Sequence, residues 1–416
     1  MSLTEKHSAK RHQEGFDEIM LGDAVTFQRG FDITKKEQKE GKIPIVSSSG
    51  VSSFHKQFKV KGPGVVIGRK GTLGTVHYLR ENYWPHDTTL WVKDFKGNDQ
   101  RLIYYFLQTL RLENFDAGSS NPTLNRNHVH KIKVVFPKLG LQKKIAAILS
   151  AYDDLIENNK RRIGLLEKMA EEIYCEWFVR FRFPGHEQVK MVKGVPEGWA
   201  KVPLKKAFTY TGGGTPAKEV ERFWKDGDVN WYTPSDITAS QGVFLSRSAD
   251  QCTEEGLSRS SARLFPAYSI MMTSRATIGA IGINTTPACT NQGFITCIPN
   301  ERYHMTFLYH WLKLSKPHFE LLSGGATFAE LTKGTFKRIE ILTPPKELVG
   351  DFENRVLSMF KQIELLLKQI DGLAKIRGML LPRLISGKLP VENLNIHFPP
   401  GMAEDGEGDV QKSAHG

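Results

Sequence analysis

Cysteine is scarce in this 416-residue chain: Cys175, Cys252, Cys289 and Cys297 are scattered, and none forms a Cys-x-x-Cys pair. That spacing argues against a zinc site and suits a reducing compartment such as the cytoplasm. No run of about 18 apolar residues occurs, so no membrane span is expected. Residues 1–14 are polar, lack the apolar stretch of a secretory signal, and read as a flexible N-terminus. The 13 histidines form no His-x₃-His or His-Glu-x-x-His pairing, so no metal site is expected.

Catalytic motifs are missing as well. The nearest approach to the Asn/Asp-Pro-Pro-aromatic loop of amino-methyltransferases is Asn121-Pro122-Thr123, and no Phe-x-Gly-x-Gly loop accompanies it. Gly387-Lys388-Leu389 fails the phosphate-loop pattern. Glu37-Gln38-Lys39 and Glu40-Gly41-Lys42, with Asp23 upstream, superficially resemble a metal-nuclease set, but they fall in a charged stretch and read as solvated charge. No catalytic residue is assigned.

What the chain has is a second copy of itself. Thr123-Leu124 through Val135-Phe136-Pro137 aligns with Glu330-Leu331 through Leu342-Thr343-Pro344 at an offset of 207. Residues 21–30 (LGDAVTFQRG) match residues 204–213 (LKKAFTYTGG) at 183, and Gly71-Thr72-Leu73-Gly74 matches Ala276-Thr277-Ile278-Gly279 at 205. The rising offset gives the second copy about 22 extra residues, expected as insertions in surface loops. A repeat of roughly 200 residues is too long for a solenoid and fits two lobes related by an internal two-fold axis.

Each lobe reads as short glycine-broken β-segments with one short amphipathic helix, and each is followed by a long heptad arm. In the first arm Ile145, Leu149, Tyr152, Ile156, Asn159, Ile163, Leu166, Ala170, Ile173 and Trp177 alternate spacings of four and three, a coiled-coil seam. The second repeats it through Phe352, Val356, Met359, Ile363, Leu366, Ile370 and Leu373, with Pro382 expected to end the regular helix. The arms are expected to pair antiparallel. Asn159, polar within the seam, fixes register, contacts a partner helix or marks a wet gap.

The net charge of +12 is concentrated on the lobes. Residues 15–139 hold 19 Lys and Arg against 12 Asp and Glu, and residues 199–345 hold 16 against 12, a bias suited to a polyanion. The polar loops supply matching side chains. Lobe one offers Ser47, Ser48, Arg69, Lys70, Thr72, His86 and Asn121; lobe two offers Thr233, Ser235, Ser274, Arg275, Thr277, Asn291, Gln292 and Lys333. Arginine grips guanine with two bonds, Asn and Gln do so with adenine, and Ser, Thr and backbone amides hold phosphates. The same residue types also favour ordinary turns.

Two variable lobes alternating with two related arms resemble the specificity subunit of type I restriction–modification systems. The resemblance rests on Ile43-Pro44-Ile45 and Val229-Asn230-Trp231-Tyr232, and on the paired turns at 71–74 and 273–279. It rests also on Leu139-Gly140-Leu141-Gln142-Lys143-Lys144 opening arm one and Leu381-Pro382-Arg383-Leu384 closing arm two, and covers about residues 15–390. Two departures stand out. Arm two opens through Pro345-Lys346-Glu347-Leu348-Val349 without the family's Gln-Lys/Arg pair, and lobe one has His86-Asp87 where lobe two has Asn291-Gln292.

The resemblance implies an α+β fold: two similar target-recognition domains of mixed β-sheet and short helices, separated by two long antiparallel coiled-coil helices with internal pseudo-two-fold symmetry. The expected boundaries are 15–139 for the first domain, 140–183 for the central helix, 184–197 for a linker, 198–345 for the second domain, 346–389 for the C-terminal helix and 390–416 for a disordered tail. It further implies a non-catalytic, cytoplasmic subunit that reads a bipartite, interrupted double-stranded DNA target. Its partners would be two methyltransferase subunits that carry S-adenosylmethionine, with a motor nuclease subunit as a possible addition. The competing reading is a coiled-coil scaffold with two binding lobes.

Overall fold

The computed structural model describes residues 15–115, 123–324, 329–396 and 398. The chain forms two compact units: residues 1–157 with 371–416, and residues 158–370. The expected N-terminal and most of the C-terminal tail lie outside the described residues, as does Asn121.

Lobe one, in the first unit, contains β1 (Phe16–Met20), β2 (Thr26–Arg29), β3 (Ile43–Ser47), β4 (Gly50–His55), β5 (Gly64–Gly68), β6 (Val76–Leu79), β7 (Trp84–Pro85), β8 (Thr89–Asp94) and β9 (Lys133–Pro137). They assemble as a sheet of order β2-β8-β5-β6, a smaller sheet β4-β3-β7 and the pair β1-β9. Strand β5 is buried on both faces, which accounts for its uninterrupted Val65-Val66-Ile67 run. The helix Gln100–Thr109 starts where the Asp99 carboxylate accepts from the Leu102 amide at 2.8 Å, a cap worth about 1 kcal/mol. Its apolar face, Leu102, Ile103 and Phe106, joins Phe27, Val65, Ile67 and Leu90 in the core.

Lobe two follows a two-stranded hairpin, β10 (Met191–Val192) and β11 (Val195–Pro196). It contains β12 (Ala200–Pro203), β13 (Thr209–Gly212), β14 (Val229–Tyr232), β15 (Phe244–Leu245), β16 (Asp250–Cys252), β17 (Ile270–Thr273), β18 (Ile281–Asn284), β19 (Ala288–Thr290), β20 (Phe294–Ile298) and β21 (Glu340–Thr343). Its sheets run β13-β20-β17-β18-β15, β16-β14-β19 and β12-β21. Apart from β15 this is the strand order of lobe one, including the parallel pairs β3-β7 and β14-β19. The duplication is therefore one of topology and register: Arg29 faces Leu90 and Gly212 faces Ile295.

The extra residues of lobe two depart from the surface-loop expectation. Where lobe one turns from β3 to β4 through Ser48 and Ser49, lobe two inserts residues 233–249, which form the helix Pro234–Ala239 and strand β15. Ile237, Phe244 and Leu245 are buried, because β15 pairs parallel with β18 and extends the sheet. An insertion that carries its own apolar residues becomes sheet and core.

Gly30 and Gly213 follow β2 and β13 and meet the same obstacle. A Cβ on Gly30 would lie 2.0 Å from the His86 carbonyl oxygen, and one on Gly213 would lie 1.9 Å from that of Asn291. Only glycine lets this strand end pass so close to the loop. Gly30→Ala is expected to cost roughly 1–3 kcal/mol through overpacking. Gly140→Ala, on a helix with open space around it, should be neutral or stabilising. Urea midpoints of the two variants check the contrast.

The long helices span Leu139–Tyr174 and Lys346–Ile385. In the first unit Lys144 Nζ donates to the Glu392 carbonyl at 2.6 Å and Arg377 pairs with Asp153, so the segments run antiparallel. Ile145, Leu149 and Ile156 are buried, and Tyr152 and Leu373 are half-buried. In the second unit Asn159 Nδ2 donates to Gln369 Oε1 at 3.3 Å, and Tyr174 packs 5.7 Å from Phe352, again antiparallel. There Ile163, Val356, Ile363, Leu366 on the second helix and Ile370 are buried, and Leu166, Ile173 and Met359 are half-buried. Asn159 thus meets a side chain of the other helix rather than a gap.

Two helix expectations are corrected. The first helix stops being regular at Tyr174 and finishes in one π-type turn, Cys175–Val179, short of residue 183. Pro382 lies inside the second helix, which continues to Ile385. A proline φ is helical, and so near the helix end Pro382 forfeits one amide bond and crowds one carbonyl with little helix beyond it to disrupt. Gly387, at φ +66°, supplies the stop: its amide donates to the Leu384 carbonyl at 3.1 Å and that of Leu389 to Arg383 at 3.1 Å. All four cysteines are free; Cys252 and Cys289 are buried with their sulfurs 3.9 Å apart. No described helix is long and apolar enough to cross a membrane.

Candidate nucleic-acid interface

In lobe one three turns meet: the one between β3 and β4, the one between β5 and β6, and residues 86–88 between β7 and β8. The Arg69 and Lys70 amides donate to the Thr88 carbonyl at 2.8 and 3.0 Å. Thr75 Oγ1 donates to the Ser48 carbonyl, which also lies 3.2 Å from His77 Nε2. Ser47 Oγ donates to the Gly50 carbonyl at 3.0 Å. Ser47, Ser48, Arg69, Lys70, Thr72 and His86 therefore share one patch. Lys70 and Thr72 are exposed, Ser47, Arg69 and His86 are half-buried, and Ser48 is buried as the junction of the turns.

The patch gathers Arg29, Arg69, Lys70 and His86 around the Asp87 carboxylate, with Asp32 beside it. Arg29 Nη2 donates to Asp87 Oδ2 at 2.8 Å, Asp87 Oδ1 lies 3.1 Å from His86 Nδ1, and Arg69 Nη1 donates to the Asp87 backbone carbonyl at 3.2 Å. Burial disfavours the Asp87 charge, but the Arg29 hydrogen bond and the charges of His86, Arg29 and Lys70 outweigh it and hold its pKa below the usual value. Burial lowers the Arg69 pKa and Arg29 adds to that, with Asp87 opposing. Asp32, His86 and Asp87 bring possible metal-ligand atoms within 4.8 Å of one another. Asp87 is nevertheless engaged by Arg29, and His86 Nδ1 lies 3.1 Å from Thr88 Oγ1, so the group reads as a charge network.

Lobe two repeats the arrangement with other side chains. The Ser274 amide donates to the Gly293 carbonyl at 2.8 Å, and the Asn291 amide to that of Tyr232 at 3.0 Å. Asn291 Oδ1 accepts from the Gly293 amide at 2.9 Å and Gln292 Oε1 from Thr215 Oγ1 at 2.8 Å. Thr233 caps the helix Pro234–Ala239 through Asp236, with Ser235 exposed beside it. Thr277 is exposed and Ser274 buried. Ala276, at φ +58°, occupies the left-handed position that Gly71 holds at +77°.

Backbone hydrogen bonds pair these turns of the two lobes residue by residue. Leu124 donates to the Arg69 carbonyl as Leu331 donates to that of Ser274, both at 3.0 Å, and the bridges Lys70↔Thr123 and Arg275↔Glu330 correspond. The turns are equivalent, but the counterpart of Arg275 is Lys70, and that of Arg69 is Ser274. Arg275 Nε donates to Glu330 Oε1 at 2.9 Å, with both side chains substantially exposed, a tie worth at most about 1 kcal/mol and readily exchanged for a phosphate. Lys333 opens the helix Lys333–Phe336 and reaches β13.

A family model described as the type I restriction modification DNA specificity domain matches residues 13–168 and again residues 196–369. The chain belongs to that family. Its two matches are the two copies of the repeat. Relatives include the MjaIX specificity subunit of Methanocaldococcus jannaschii, 31% identical over 251 residues that cover 58% of each chain. The HindI specificity subunit of Haemophilus influenzae is 27% identical over 333 residues, covering 64% of this chain and 71% of that one. The crystal structure of a type I restriction–modification S subunit from M. genitalium shares the fold at a TM-score of 0.59 and 18% identity, over 91% of this chain and 98% of that one.

Arg29 and Glu330 were not among the sequence candidates, and Asp87 stood there only as the neighbour of His86. One signal for Arg29 was available: in the aligned segments at 21–30 and 204–213 it faces Gly212, an arginine against a residue without a side chain.

Proposed function

We propose that this chain is the DNA-reading subunit of a type I restriction–modification assembly, with each lobe contacting one half of an interrupted target. The supporting observation is that two lobes of the same strand order, apart from β15, bring the same three turns together, with an exposed cation at the equivalent position in each, Lys70 in one and Arg275 in the other. In this reading the chain is non-catalytic and cytoplasmic. Its helices engage two methyltransferase subunits, S-adenosylmethionine is carried by those subunits, and a motor nuclease subunit joins to cut unmodified DNA. Lys70, Thr72, Arg275, Thr277 and Lys333 face phosphates, while Asn291 and Gln292 supply groups for base edges.

The test is binding of the chain, assembled with its modification subunit, to a target duplex defined by sequencing the methylated sites of the host genome. One interrupted motif is expected. Each phosphate contact releases counterions, so affinity should fall on the order of 10³-fold or more between 50 and 200 mM salt. An affinity flat across that range sinks the reading and favours a scaffold whose lobes bind something other than DNA.

A further inference from the structure

We propose that Arg29 is a base-reading side chain of lobe one, aimed at a guanine in its half of the target, and that Asp87 is the residue that positions it. The proposal rests on the DNA-binding reading of the lobes and deepens it.

Arg29 closes strand β2 beside the patch formed by the three turns. Its side chain is 54% exposed, yet it is held in place by the 2.8 Å bond from Nη2 to Asp87 Oδ2. Asp87 is restrained in turn by His86 Nδ1, 3.1 Å from its other oxygen. No other described residue accepts from the Arg29 guanidinium, so its remaining N–H donors are left for a ligand. A planar fork anchored through one nitrogen, with its other donors free, suits the O6 and N7 acceptors of guanine in the major groove. Arg69 is placed differently. It is half-buried, and its Nη1 is occupied by the Asp87 carbonyl at 3.2 Å, so it supports the loop that carries Asp87.

Comparison of the lobes gives the argument its force. The position of Arg29 in β13 is Gly212, and the volume of its missing side chain is filled by Lys333, whose Nζ and Cε lie 2.0 and 2.1 Å from where a Cβ would sit. Lobe two thus brings a cation to the same point of the scaffold from a helix instead of a strand. The carboxylate changes with it: the residue corresponding to Asp87 is Gln292, which accepts from Thr215. At this point of the scaffold lobe one has a guanidinium with a carboxylate and lobe two has neither; the exposed pair of lobe two, Arg275 with Glu330, lies in the turn after β17. The lysine of lobe two, a rotatable point charge with no acidic partner among the described residues, suits a phosphate.

The experiment uses the full chain assembled with its modification subunit. Methylated motifs are read by genome sequencing, and binding is measured on duplexes carrying each base at each position of both half-sites. Arg29→Ala should make one position of one half-site degenerate and weaken the cognate duplex roughly 10- to 100-fold, leaving the other half-site unchanged. Arg29→Lys, which keeps the charge and loses the fork, should lose the same discrimination while retaining non-specific affinity. Asp87→Asn should blunt preference at that one position and add nothing further in combination with Arg29→Ala. A uniform loss across all bases, or an unchanged motif, in both Arg29 variants overturns the proposal. Lys70→Ala and Lys333→Ala separate that failure from failure of the DNA-binding reading: each should weaken every sequence alike and flatten the salt dependence. If these too leave binding untouched, the DNA-binding reading itself fails.

Discussion

Acidification from pH 6.5 to pH 4 is expected to cost the second unit roughly 3 kcal/mol of stability through one side chain, His310. The residue is 1% exposed on the helix Met305–Leu314, with its ring stacked 5.3 Å from Tyr174 and edge-on to Phe352 and Phe360. Nδ1 donates to the Thr306 carbonyl at 2.6 Å. Burial pushes its pKa down to about 4, with the Thr306 hydrogen bond pulling the other way. Between 6.5 and 4 the unfolded chain takes up a proton that the folded chain refuses, so stability is complete above 6.5 and falls as the pH drops. Glu353, which accepts from the Thr306 amide at 3.1 Å, works in the opposite sense. Burial raises its pKa, so its contribution is present below the ordinary carboxylate value and lost as pH rises through the folded one. Urea midpoints across this range, compared with those of His310→Phe, isolate the histidine. A constant difference between the two proteins would contradict a buried neutral imidazole.

Phe352→Ala is expected to cost roughly 3–5 kcal/mol, the ordinary range for emptying an aromatic site. Phe352 is fully buried, and its ring lies 5.1 Å from Phe178, 5.7 Å from Tyr174, 6.0 Å from Trp177 and 6.0 Å from His310. The cluster joins both long helices to the helix Met305–Leu314 inside the second unit. Phe352→Leu, which preserves most of the volume, should lose about 1.5 kcal/mol or less. Thermal and urea unfolding followed by tryptophan fluorescence would rank the two variants, and equal losses would remove the packing explanation.

The repeat was legible because topology constrains residue type. The Val65-Val66-Ile67 run, the 71–74 and 276–279 turns and the heptad spacing each record a local geometry that few residues satisfy. Pro382 misled because its rule describes a helix interior, and only three helical residues follow it. Residues 233–249 misled because an insertion that forms a strand looks like a loop until its pairing with β18 is seen. Arg29 and Asp87 are 58 residues apart, and no spacing rule links them. Periodicity identifies elements, but a side-chain pair across two strand ends depends on register, which emerges only when the sheet closes.

The division of the chain has a consequence for its synthesis. The second unit is one continuous stretch, residues 158–370, whereas the first needs residues from 371 onward to return to its beginning. Leu384, Ile385 and Val391 complete the core that Leu141, Ile145 and Leu149 begin. On a ribosome those partners emerge roughly 240 residues later, a delay on the order of twelve to fifty seconds. Throughout that interval the opening stretch of the first long helix carries an uncovered apolar stripe, and the unit encoded after it has all its parts once residue 370 is made, before Leu384. The earlier-made lobe is thus the later one to be sealed, and nascent-chain chaperones would find their binding surface there.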